Sequence, residues 1–299
     1  MVCLYQNAIT IFLALTVWAP AASAASPRKR EHTAFANPER VAIRGYSGHA
    51  MEPFISRDGR YLFFNNSNDP SVNTNLHYAE RINDITFKYQ GEIKGVNSSL
   101  LDAVPTMDRD GKFYFVSTRS YTQTLSTIYR GRFAGGSVTG IDLVTGISEK
   151  ILWHVNFDVE ISASGDTLYF VDGIFRGKPV PEMADLAIAV RDGSGFRRVK
   201  NSAELLKNIN TNALEYAACI SADELELFFT RLADGPRFAI YRATRRTVTQ
   251  PFDPPEQLAA IEGFVEAPTI TTDGRSLYYH KKVGELFVIY RVTRLHNLL

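Results

Sequence analysis

Five stretches of the chain repeat one alternation of apolar and polar positions. A short apolar strand ends in Ser, Asp or Thr, a two-residue turn follows, and an aromatic-rich strand comes next. The stretches are Pro53–Phe64, Pro105–Phe115, Val159–Phe170, Ala218–Phe229 and Pro268–Tyr279. Their turns centre on positions 59, 111, 165, 224 and 274, offset from one another by 52, 54, 59 and 50 residues. Asp-Gly supplies the positive φ that a tight hairpin requires, and the period of two on either side puts apolar side chains on one face of a pleated strand. Position 224 carries Glu, so a different turn type or a looser loop is expected there. About twenty residues after each turn a third strand follows: Leu76–Arg81, Ile128–Arg132, Leu186–Arg191, Ile240–Arg245 and Ile289–Arg294. A fourth, outer strand is visible at Phe87–Ile93 and again ahead of Leu258. Four strands per unit at this period make a propeller blade. The predicted fold is all-β: a five-bladed β-propeller of four-stranded antiparallel blades. Helical patterning is confined to Ala203–Ile209, inside a loop.

The two ends of the repeat array predict how the ring closes. The fifth unit reaches Leu299 without an outer strand, while Phe35–Val41 matches the outer-strand segment Phe252–Leu258 of the fourth unit. An N-terminal strand that completes the last blade removes the free sheet edges of an open array. One domain then covers 35–299. Ahead of it, the first 24 residues hold no charged side chain. The apolar run Ala8–Ala19 followed by Ala22-Ser23-Ala24 reads as a secretory signal peptide over 1–24, too short to span a bilayer. Residues 25–34, which include Arg28-Lys29-Arg30, are expected to be a flexible leading segment. The mature chain is expected to be periplasmic or secreted, with no membrane span.

Composition narrows the partners. Lys plus Arg is 33 and Asp plus Glu is 32, a net charge of +1, which argues against a nucleic-acid partner because such proteins show a basic excess. The 19 Phe and 14 Tyr suffice for a core. Cys3 lies in the leader and leaves Cys219 as the lone thiol of the body, so no internal disulfide or thiolate zinc site can form. Cys219 is expected to be a small buried apolar residue. A monomer is expected.

The Ser-x-Asp-Gly-x-x-Leu-Tyr-Phe core followed by Ile-Tyr-Arg resembles the WD40-like (PD40) propeller repeat of TolB-type periplasmic proteins. The resemblance recurs five times and spans essentially the whole mature chain. It implies the propeller fold; function does not follow from it, because propellers serve binding, scaffolding and catalysis alike. The chain departs from TolB in lacking a separate N-terminal α/β domain and in having five repeats rather than six, which leaves TolB's own envelope partners without support here.

Carboxylates gather ahead of the innermost strands. Glu52, Asp102, Asp158, Glu160 and Glu215 stand an odd number of residues before the apolar position that ends their strand, so on an extended strand they share one face. Glu266 breaks that phase unless a bulge intervenes. An acidic ring at one channel mouth is expected from the six. Three roles compete for it: inter-blade bonding to backbone amides, binding of a basic group or a cation such as calcium, and acid–base glycoside chemistry. Repetition in every blade favours the first. No cofactor is called for, and the six histidines, His32, His49, His77, His154, His280 and His296, show no paired metal spacing. No hydrolase elbow or phosphate-binding glycine loop is present. The repeated arginines Arg81, Arg132, Arg191, Arg245 and Arg294 are expected to be solvated or to donate hydrogen bonds between blades. The reading favoured is an exported, non-catalytic binding or scaffold propeller that meets an envelope protein or component, with a carbohydrate-active enzyme as the alternative.

Overall fold

Each repeated turn joins the innermost strand of a sheet to the next strand outward. The computed structural model describes residues 31–32, 34–69, 72–178, 180–233 and 237–295. The segment 1–24 expected to be a signal peptide, Cys3 and His296 lie outside these residues. Listed from the centre, the first blade holds Met51–Ile55, Tyr61–Asn65, Leu76–Asn83 and Thr86–Glu92. The second holds Asp102–Met107, Lys112–Ser117, Ile128–Ala134 and Ser137–Leu143. The third holds His154–Ile161, Thr167–Ile174, Met183–Asp192 and Gly195–Arg198. Leu214–Ile220, Glu226–Ala233, Arg237–Thr244 and Glu256–Leu258 form the fourth. Val265–Ile270, Ser276–Val283 and Leu286–Arg294 form the inner three strands of the fifth. The innermost strands pack in a ring, the fifth against the first, and the molecule is a five-bladed β-propeller. Two four-residue helices, Tyr121–Thr124 and Ser202–Leu205, sit in loops. The second overlaps the helix predicted at Ala203–Ile209. No helix among the described residues is long and apolar enough to cross a membrane.

The N-terminal segment closes the ring and does more besides. Phe35–Arg40 pairs antiparallel with Leu286–Arg294 and supplies the missing fourth strand of the last blade. Pairing starts before residue 35: Glu31–His32 lies parallel to Gln257–Leu258 on the outer edge of the fourth blade. Beyond Arg40 the chain steps onto the first blade, where Ala42–Arg44 runs parallel to Thr86–Lys88. Fourteen positions, from 31 to 44, thus bind three consecutive blades.

Aromatic second strands fill the seams between blades. Phe63 meets Phe113 and Phe133 edge-on, with ring centroids 5.3 and 4.8 Å apart. Tyr114 meets Phe196, Phe87 meets Tyr278, and Phe35 meets Phe228 in the same manner. Such pairs add about 0.5–1.5 kcal/mol each to the burial of their area. Three of the arginines that end the third strands, Arg191, Arg245 and Arg294, cover these seams, whereas Arg81 and Arg132 bond within their own blades. Arg245 lies 4.3 Å over Phe252, and donates to the Glu224 carbonyl and to the Tyr169 hydroxyl of the preceding blade. Arg294 repeats the motif over Phe35 at 4.5 Å, bonding the Gly274 carbonyl and Glu226 of the preceding blade. Phe35 therefore occupies the place that Phe252 fills in the fourth blade, which is the physical content of the sequence match between the two segments.

The turn at position 224 is not the exception expected of it. Glu224 adopts φ 60°, in the same region as Gly59 at 72° and Gly274 at 69°. Side chains hold it there. Ser221 Oγ donates to Asp223 Oδ1, which accepts from the Leu225 amide, and the Glu226 amide donates to Ser221 Oγ. The same Ser/Thr-x-Asp strap spans Ser56–Asp58 and Thr271–Asp273, so the turn geometry is specified without glycine.

Removing residues up to 44 should expose edges on three blades at once. The truncated protein is expected to aggregate, or to melt more than about 10 °C below the parent in a thermal scan. An unchanged Tm would place the closure elsewhere.

Candidate functional site

Every innermost strand carries a β-bulge at the same place. Its pairing slips between Met51 and Phe54, Ala103 and Thr106, Phe157 and Val159, Tyr216 and Cys219, and Glu266 and Thr269. A residue within each slip has a left-handed backbone: Glu52 at φ 48°, Val104 at 54°, Asp158 at 48°, Ala217 at 52° and Ala267 at 54°. None is glycine and Val104 is β-branched, so each position costs on the order of 1–3 kcal/mol unless its surroundings hold it. At four of the five joints the preceding blade does so. The amide of Val104 donates to Asn65 Oδ1 at 3.1 Å, and that of Ala217 to Asp158 Oδ2 at 2.9 Å. Ala267 donates to Thr230 Oγ1 at 3.1 Å, and Glu52 to His280 Nδ1 at 3.1 Å. Further along, Ile55 donates to Thr269, Ile161 to Thr106 and Ile270 to Cys219 Sγ. Cys219 is buried as expected, but it is a link between blades rather than apolar filler.

The bulge reverses the face of everything upstream of it, so the six carboxylates do not form one ring. Asp102 and Glu215, two residues before the bulge position, turn to arginines of their own blades. Asp102 accepts from Arg119 at 2.5 Å and from the amide and hydroxyl of Ser98. Glu215 accepts from Arg231 at 2.6 Å and from the amide and hydroxyl of Thr211. Glu160, two residues after its bulge, lies at the turn end of the channel. There it pairs with Arg57 at 2.8 Å and accepts from Thr106 at 2.6 Å. Arg57 reaches from the first blade to the third, also bonding the Ile161 carbonyl, and its side chain is only 6% exposed. That pair closes the turn-side mouth.

Glu52, Asp158 and Glu266 do converge. They gather with Tyr216, Asn68 and Phe157 around a cavity of about 10 Å³, room for roughly one water. Glu266 accepts from the Tyr216 hydroxyl on one oxygen and faces His280 Nε2 at 3.1 Å on the other. Because His280 Nδ1 accepts the Glu52 amide, the ring proton resides on Nε2 and is directed at Glu266. Asn68 donates to Glu52 Oε1 at 2.8 Å. Burial first, then the charges of Asp158 and Glu266, raise Glu52 to about 8. Burial, assisted by Glu266 and opposed by the Ala217 amide, raises Asp158 to about 7. Burial and the charge of Glu266 also push the Tyr216 phenol well up. The channel alongside, lined by Pro53, Pro105, Ala218 and Pro268, is a space of only about 30 Å³. Among the described residues no group of three or more His, Cys, Asp or Glu side chains is arranged to hold a metal ion.

Composition and spacing pass over the residues that complete this centre: His280, Tyr216, Asn68 and Arg57. A signal for part of it exists. Asn65, Thr230 and His280 each stand six positions after a turn centre, as polar interruptions of otherwise apolar second strands. Each accepts the bulge amide of the next blade.

The chain matches no protein-family model and no curated protein sequence. In fold it is similar to several solved structures. Zg3597, a family 117 glycoside hydrolase of Zobellia galactanivorans, is 14% identical with a TM-score of 0.57, over 89% of this chain and 91% of that one. The α-L-arabinofuranosidase PaAbf62A of Podospora anserina, solved in complex with cellotriose, is 13% identical with a TM-score of 0.56, over 90% and 98%. TolB of Acinetobacter baumannii is 14% identical with a TM-score of 0.47, over 83% of this chain and 54% of that one.

A carboxyl raised on folding favours the folded state fully below its unfolded value, and that contribution is lost as pH rises through the folded value. For Glu52 and Asp158 the loss spans about pH 4 to 8. Glu226, which Arg294 and Arg242 hold low against burial, contributes with the opposite sign, its stability lost as pH falls. Tm should therefore fall between pH 5 and 8. Glu52→Gln, which keeps the acceptor for Asn68, should flatten the slope and add about 1–3 kcal/mol at pH 8. Parallel Tm–pH curves for the two proteins would contradict the buried-carboxylate assignment.

Proposed function

We propose that the chain is an exported, non-catalytic propeller that works as a binding or scaffold protein of the cell envelope. The observation that carries this reading is the closed centre. All six carboxylates accept hydrogen bonds from named partners, and the cavity among the three that converge is about 10 Å³. A glycosidase needs an acid and a base or nucleophile flanking a sugar ring with space between them, and ligand pockets commonly run to about 300–1,000 Å³. Arg57 and Glu160 close the other end. What this leaves for recognition is the surface outside the channel.

One observation favours the carbohydrate-active alternative. Glu52 and Asp158 are buried carboxyls raised toward neutrality, as a general acid requires, in a fold that glycoside hydrolases also use. The two readings separate by turnover. Aryl arabinofuranosides and a panel of polysaccharides should pass through unchanged. Cleavage that disappears in Glu52→Gln while Tm is retained would overturn the non-catalytic reading. Export has its own readout: intact mass of protein recovered from the envelope fraction should correspond to a chain beginning at Ala25, and an intact Met1 terminus would contradict it.

A further inference from the structure

A groove of about 350 Å³ opens where the N-terminal segment steps from the fifth blade to the first. Its floor is apolar, with Ile43, Val288 and Leu286, and Tyr46 stands at one wall. Leu286 is 38% exposed, although it is large and apolar. Arg40 and Arg44 line the groove, and both are exposed. Elsewhere the arginines near this chain's carboxylates are engaged: Arg57, Arg119, Arg198, Arg231 and Arg291 all hold ion pairs. Among the described residues the side chains of Arg40 and Arg44 have no hydrogen bond or ion pair, although both backbones pair in the sheet. Two unneutralised guanidiniums beside an exposed apolar floor call for a ligand that brings carboxylates and apolar groups together.

The backbone indicates the shape of that ligand. Ala42–Arg44 is the outermost strand of its blade. Ala42 directs its amide inward to the Ile85 carbonyl, so strand alternation leaves the Ile43 amide on the open edge. From Arg40 to Arg44 exposed residues alternate with buried or half-buried ones. An extended segment alternates in the same way and can take a main-chain bond from such an edge.

We propose that this groove docks an extended acidic segment of a partner protein. Its carboxylates pair with Arg40 and Arg44, its intervening apolar side chains rest on Ile43, Val288 and Leu286, and its backbone accepts from the Ile43 amide. The site presupposes the non-catalytic reading and supplies a recognition surface for it.

The test uses the purified full-length protein and a short labelled peptide that alternates aspartate with leucine, followed by fluorescence anisotropy. Binding is expected for this peptide and not for its lysine–leucine counterpart. The double substitution Arg40→Glu with Arg44→Glu should weaken binding by about tenfold or more, an energy of about 1.4 kcal/mol. Arg40→Lys with Arg44→Lys should retain most of it. Both arginines are exposed, and unchanged Tm values would confirm that the variants fold. Equal binding by the charge-reversed protein, or displacement of the peptide by inorganic phosphate alone, would overturn the proposal. So would a parent dimer in sedimentation that the charge reversal dissociates, because a second copy would then fill the groove. Failure here without glycan turnover would remove this site and leave the binding reading standing. Turnover abolished by Glu52→Gln would remove that reading whatever the peptide does.

Discussion

One backbone irregularity, used five times, governs how this ring holds together. An antiparallel blade satisfies its own amides within its ladder and offers its neighbour only side chains. The bulge in each innermost strand changes that. By placing Glu52, Val104, Asp158, Ala217 and Ala267 in the left-handed region, it takes an amide out of the ladder. At four joints that amide is presented to the preceding blade. A buried amide left unpaired costs about 1–3 kcal/mol, so the strained residue and its acceptor are stable only together. Aromatic packing along the seams buries area between blades, but it tolerates sliding. The directed amide bond does not, and it sets where one blade meets the next.

The same irregularity decides the fate of the carboxylates. Upstream of the bulge the strand's faces are exchanged, which sends Asp102 and Glu215 to arginines of their own blades and brings Glu266 to the centre beside Glu52 and Asp158. Three carboxyls in so small a space cannot all be ionised without a large electrostatic penalty. Burial raises Glu52 and Asp158, and hydrogen bonds serve all three: Ala217 and Asn68 each supply one donor, and Tyr216 and the His280 ring serve Glu266. The third blade shows the economy of this arrangement. Its second strand carries Val171 at the position where the first, fourth and fifth blades carry Asn65, Thr230 and His280, and Asp158 itself takes over as acceptor for the next blade's amide.

Much of the fold could be read from the sequence because it depends on local signals. Turns such as Asp58-Gly59 and Asp273-Gly274, the strand alternation around them, and the echo of Phe252 in Phe35 are all properties of short segments. The site was less legible for a physical reason. Whether Glu266 points inward depends on one extra residue in a strand, and a non-glycine bulge such as that at Val104 or Ala267 leaves no compositional mark. The phase break at Glu266 is one visible trace, and the polar Asn65, Thr230 and His280 within apolar second strands are another. Alone, that phase break marks only the fifth blade, whereas every innermost strand has the bulge. Glu224 misled in the opposite direction: glycine's absence suggested a different turn, but the strap formed by Ser221 and Asp223 supplies the geometry.

Closure itself creates a place where the surface is left unfinished. To bind three blades, the N-terminal segment must leave the fifth at Val41, whose amide bonds the Ile289 carbonyl, and join the first at Ala42, whose amide bonds the Ile85 carbonyl. Phe35–Arg40 therefore pairs only with the stretch from Tyr290 to Arg294. Ahead of Tyr290 the last strand has no antiparallel partner on its outer side and is met instead by Ala50 and His49. A gap between blades follows from that geometry. Its walls are the crossing segment itself, so Arg40 and Arg44 line it for the same reason that Phe35 fills the seam of the last blade. A single-chain propeller sealed by one strand within one blade would have no such gap. Here the stitch across three blades strengthens the ring and, at its crossing point, leaves an apolar floor beside two unpaired charges.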